Sequence, residues 1–93
     1  MAKLSEYTRR QYVTQESIEK AIQDITLHTD KITNNYGHGA LVSHHEIYGV
    51  LDEEVNEFKE AVKNSNSTDI YNELLEIAQV VVFSIASIIE GKK

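Results

Sequence analysis

At 93 residues the chain has room for one domain, and with no cysteine it excludes disulfides and thiolate metal sites. No proline and only four glycines leave long helices as the default reading. The formal net charge of −6, from 15 acidic and 9 basic residues, argues against a nucleic-acid backbone or an anionic membrane surface as partner.

Residues 1–14 read as an N-terminal arm, with 5–13 either a short helical lead-in or a mobile segment. The start of the chain is polar and has no apolar signal-peptide core. A first helix is predicted over residues 15–34, with Thr14 as N-cap and Ile18, Ala21, Ile22, Ile25 and Ile32 on one face. The run Asn34, Asn35, Tyr36, Gly37 supplies its left-handed stop. A second helix is predicted over 44–63. It opens on a capping box of Ser43 and Glu46 and carries Ile47, Leu51, Val55, Phe58 and Val62 as its apolar stripe. Residues 64–68, rich in Asn and Ser, read as a turn.

The third helix, predicted over 69–90 with its stop at Gly91, differs from the others. Ile70, Leu74, Ile77, Ala78, Val81, Ile85, Ile88 and Ile89 make one apolar face, while Leu75, Val80, Val82, Phe83 and Ala86 extend it around most of the circumference. A helix apolar nearly all round has to be surrounded, and two helices of the same chain are too few. The expected fold is therefore all-α, a single helical domain over 1–93 whose bundle is completed by oligomerisation through helix 69–90. Cover of Phe83 and its neighbours by the N-terminal arm is the alternative. The longest apolar stretch, Ile77 to Ile89, is broken by Gln79, Ser84 and Ser87 and is shorter than a bilayer span, so the expectation is a cytoplasmic protein with no membrane partner.

Nine of the 15 acidic residues fall between Glu46 and Glu76, where only Lys59 and Lys63 carry the opposite sign. Within that stretch Glu54 and Glu57, and again Glu73 and Glu76, stand one turn apart on one side of a helix. Glu54 falls beside Leu51 and Phe58 on the inward stripe, Glu57 lies at its edge, and Glu73 borders Leu74 and Ile77. Glu53 points outward. If the second and third helices form an antiparallel hairpin about Asn66, all four glutamates lie within roughly 8 Å along the bundle axis. Four carboxylates at one level without basic neighbours repel one another, and a divalent cation resolves that repulsion. All-oxygen ligation selects Mg²⁺, Mn²⁺ or Ca²⁺. The rival is a solvated acidic patch.

The paired motif, Glu54-x-x-Glu57 followed by Glu73-x-x-Glu76, resembles the signature of the MazG-like all-α nucleoside triphosphate pyrophosphohydrolases. The resemblance covers residues 44–90 and is closest to short, stand-alone, phage-type members. It implies Mg²⁺-dependent hydrolysis of a nucleoside triphosphate to the monophosphate and pyrophosphate, by a homodimer or dimer of dimers, with Mn²⁺ as a substitute ion. Carried over by position, Glu54, Glu57, Glu73 and Glu76 would be the metal ligands, with the general base among them unassigned. Glu76 stands where the family usually has Asp. Basic residues to hold phosphates are absent from the motif, leaving Arg9, Arg10, Lys92 and Lys93 as candidates, from this subunit or another. Two rivals follow: a catalytically inactive relative that binds a ligand or protein, and a plain helical interaction module. His28, His38, His44 and His45 read as surface, because no two of them share a helix face at ligand spacing.

Overall fold

The first turn of an α-helix leaves backbone N–H groups unpaired, and in this chain each helix begins where a side chain can accept one of them. In the computed structural model, which describes residues 11–41 and 43–91, Thr14 opens α1 (Gln15–Tyr36) by accepting from the Ser17 N–H at 3.0 Å. Most of the expected arm, and with it Arg9 and Arg10, lies outside the described residues, as do Lys92 and Lys93. Tyr12 and Val13 are exposed. α1 runs two residues past its expected end and stops where Gly37 takes a φ of 87° and donates back to the Thr33 carbonyl at 2.8 Å. α2 (His44–Lys63) has the expected bounds, with the Ser43 hydroxyl accepting from the Glu46 N–H at 3.1 Å.

α3 (Ser67–Ile89) starts two residues earlier than the composition of the turn suggests, because Asn66 is its N-cap: the Asn66 carboxamide oxygen accepts from the Asp69 N–H at 3.0 Å. Asn66 also closes α2. Its own N–H donates to the Ala61 carbonyl and the Ser65 N–H to the Val62 carbonyl, the paired bonds of a Schellman stop. Ser65 sits between them at φ 52°, a left-handed conformation more often given to glycine. Ser67 and Thr68, expected in the turn, are thus the first residues of α3.

α3 is central: α2 and α1 both pack against it, and α1 and α2 do not meet. The half-buried residues of α2 are Ile47, Val50, Leu51, Glu54 and Phe58, and Ala61 is buried. Val55 and Val62, expected in the stripe, lie one position round and are exposed. Helical spacing allowed two adjoining rows, and the small Ala61 lets the backbones approach along the row that carries Glu54. α1 packs through its second half, with Asp24, Ile25, His28, Thr29, Ile32 and Thr33 partly covered, while Ile18 and Ile22 of the expected stripe remain exposed. Tyr71 of α3 donates a hydrogen bond to Asp24, which also pairs with Lys20 at 2.7 Å, and this fastens the two helices.

The two partner helices cover α3 only in part, as its apolar circumference led one to expect. Its buried residues are Gln79, Val80, Ser84 and Ser87. The Ser87 hydroxyl accepts from the Leu41 N–H at 3.1 Å, pinning the α1–α2 connection onto α3, and donates to the Phe83 carbonyl. Small side chains let neighbouring backbone come close, so they take the inside. The expected apolar face is divided: Ile70, Ile77 and Ala78 are half-buried, while Leu74, Val81, Ile85 and Ile88 are each at least 40% exposed. Among the described residues only Ala61 and Val80 are buried apolar side chains. At 23 residues and a mean hydropathy of 1.6 over its best 18-residue window, α3 is long and apolar enough to cross a bilayer by length and composition, where the shorter stretch 77–89 was not.

Candidate metal centre

The α2–α3 hairpin brings together three of the four expected ligands. Glu54 and Glu57 come from α2 and Glu73 from α3, and one carboxylate oxygen of each lies within 4.8 Å of the others. Oxygens bound round a single hard cation at 2.0–2.6 Å stand no more than roughly 4–5 Å apart, so the spacing suits one ion with little movement. Glu54 Oε1 and Glu73 Oε1 are both buried and have no hydrogen-bond partner among the described residues. Unpaired buried carboxylate oxygens are costly, and a proton or a cation would relieve that cost. No Lys or Arg forms an ion pair with any of the three among the described residues; the lysine pairs are Lys20 with Asp24 and Lys63 with Glu60.

The electrostatics follow from that crowding. Burial, then the charges of Glu57, Glu76 and Glu73, push the Glu54 carboxyl up to about 7. Glu73 is raised as well, first by burial and then by Glu57 and Glu76. Both carboxyls are therefore harder to ionise than a free glutamate. Glu53 is exposed and outside the cluster, as the helical angle implied.

Glu76, the fourth expected ligand, is not in the set of converging oxygens. Its Oε2 lies 3.3 Å from the His28 Nε2 of α1. His28 is not the surface histidine the sequence suggested: its side chain is 18% exposed, and Nε2 is buried without a hydrogen-bond partner among the described residues. The signal that could have found it is its place in α1, between Ile25 and Ile32 at spacings of three and four on the packed side. His38, His44 and His45 are exposed, as expected.

The chain matches no family model, no curated protein and no solved structure. The site consists of three oxygen donors from two helices, with no Lys or Arg paired to them among the described residues and with an imidazole and a fourth carboxylate at their border.

Proposed function

We propose that this chain is a divalent-metal-dependent nucleoside triphosphate pyrophosphohydrolase of the MazG-like kind, working as a helical homo-oligomer. The observation that carries the proposal is the convergence of Glu54, Glu57 and Glu73, with buried, unpaired oxygens on two of them. That donor set fits Mg²⁺ or Mn²⁺, both hard ions that accept carboxylate oxygen and keep positions open for water and phosphate. When bound, the ion would neutralise charge on the phosphate chain. The chain's own contribution is to hold the carboxylates at fixed spacing on a two-helix hairpin, and to leave Glu76 beside them to orient water. The paired Glu-x-x-Glu motifs across residues 54–76 are what turn a metal site into a nucleotide hydrolase in this proposal.

The rival is a metal- or ligand-binding helical oligomer without turnover. The shortage of positive charge around the site among the described residues favours it, since a triphosphate needs cations besides one metal ion.

Pyrophosphate release from a panel of ribo- and deoxynucleoside triphosphates, with Mg²⁺ or Mn²⁺, separates the two. Release is expected from the wild-type chain and should fall at least about 100-fold in Glu57→Gln, more than removal of an outer-shell group typically costs. A folded wild-type protein silent across the panel would leave the binding module as the correct account.

A further inference from the structure

α1 is tied to the rest of the chain more loosely than its 22 residues suggest. None of them is buried, and the helix packs on α3 alone. Its covered residues, from Asp24 to Thr33, form a single stripe, and each is only partly covered. α2, by contrast, has Ala61 fully buried and packs on α3 more extensively than α1 does. The polar ties between α1 and α3 are the Tyr71 hydroxyl on Asp24, at an exposed position open to competition from water, and the approach of His28 Nε2 to Glu76 at 3.3 Å. An element that buries little apolar surface stands at the low end of local stability within a fold.

The joint beyond α1 suits a moving element. Gly37 ends the helix at a φ of 87°, and Gly39 follows two residues later. A side chain at Gly39 would meet nothing within 4 Å, so crowding does not call for glycine there, and freedom of the backbone is what it adds. Two residues further on, the Leu41 N–H is held to the Ser87 hydroxyl of α3 at 3.1 Å. A free joint therefore lies between α1 and a fixed anchor. We propose that α1 is a strap that opens from the α2–α3 hairpin as a unit, pivoting at Gly37 and Gly39 and held shut by the clasp of Tyr71 on Asp24. The hairpin and the anchor at Leu41 stay folded when it opens. Opening withdraws His28 from Glu76 and uncovers the side of α3 on which α1 lies. The strap stands whether or not the chain binds metal or hydrolyses a nucleotide.

Residue-resolved amide hydrogen exchange on the full chain, in a series of low urea concentrations, tests this in wild type, Tyr71→Phe and Asn66→Ala. In wild type, amides across 25–33 should share one opening and exchange at least about tenfold faster than the slowest amides of α2 and α3. Their exchange should also respond less to urea, because lifting one helix exposes less surface than unfolding the chain. Tyr71→Phe removes one exposed hydrogen bond and should speed exchange across 25–33 about threefold to tenfold. Asn66→Ala weakens the hairpin, which is intact in the open state. It should speed the slowest α2 and α3 amides about fivefold while leaving 25–33 within about twofold of wild type. Equal acceleration in all three helices by Asn66→Ala would overturn the strap, since it would mean a single cooperative unit. Unchanged exchange across 25–33 in Tyr71→Phe would overturn the clasp. Should Asn66→Ala fail to fold, the wild-type urea series decides alone: α1 amides as slow and as urea-sensitive as the slowest of the hairpin would sink the proposal.

Discussion

The Glu54 carboxyl is pushed up to about 7 because burial and four neighbouring carboxylates all disfavour its charged form. The unfolded chain would release the same proton near the ordinary glutamate value of 4.5. Between those two values the folded state binds more protons than the unfolded one, so the metal-free protein loses stability as pH rises through the window. Carboxylate ligands must be ionised to bind metal, so metal affinity moves the other way with pH. A carboxyl at about 7 is mostly neutral at pH 6 and mostly ionised at pH 8, and the apparent Mg²⁺ affinity should be about tenfold weaker at the lower pH. Calorimetry at the two pH values checks this, and Glu54→Gln should flatten the difference. Equal affinities in the wild-type protein would mean that no ligand proton is displaced, and that Glu54 stands apart from the ion.

At the scale of the helices, the three-residue link between α2 and α3, Asn64 to Asn66, decides whether the carboxylates meet. Ser65 and Asn66 close one helix and open the next with no slack, so the register of Glu54 and Glu57 against Glu73 follows from this link. Asn66→Ala removes the N-cap of α3 and should cost about 1 kcal/mol, or roughly 4–8 °C in Tm for a domain of this size. Ser65→Gly should do the reverse. It relieves a left-handed serine, at the expense of some unfolded-state entropy, for a net gain of up to about 1 kcal/mol by thermal or urea unfolding. The helices, their caps at Thr14 and Ser43, and the glutamate pairs are written locally, which is why sequence alone places them. The start of α3 is harder to read, because Asn66, Ser67 and Thr68 are all cap formers and only the hydrogen bond to Asp69 selects one. The side of α3 that packs is not local information: when apolar residues run round the helix, the choice falls to small residues such as Ser84 and Ser87 that fit against a neighbour. His28 was missed for the same reason, since its contact with Glu76 joins elements far apart in the chain.

For the molecule as a whole, α3 buries Ser84 and Ser87 and leaves Ile85, Ile88 and Ile89 exposed. The C-terminal half of α3 offers Val81, Val82, Ile85, Ile88 and Ile89, all at least 40% exposed, with no charged residue between Glu76 and Glu90. α1 adds Ile18, Ile22 and Leu27. A bilayer could cover α3 by length, but insertion would carry Glu73 and Glu76 into hydrocarbon or tear α3 from α2, and it would leave the α1 residues uncovered. A second copy packed on the α3 face would carry no glutamate into lipid, and self-association through α3 is part of the proposed function. Sedimentation of the full chain should show a dimer or a higher even oligomer at micromolar concentration. Ile85→Glu should weaken that association at least about 100-fold, as expected for a charge placed at the centre of an apolar interface. Circular dichroism distinguishes a dissociated helical chain from an unfolded one, and Val82→Asn offers a milder change at the same surface. A wild-type chain that stays monomeric and helical in buffer would sink the dimer. A chain that instead partitions into lipid vesicles would show that the exposed face of α3 is made for a membrane and not for a second copy of itself.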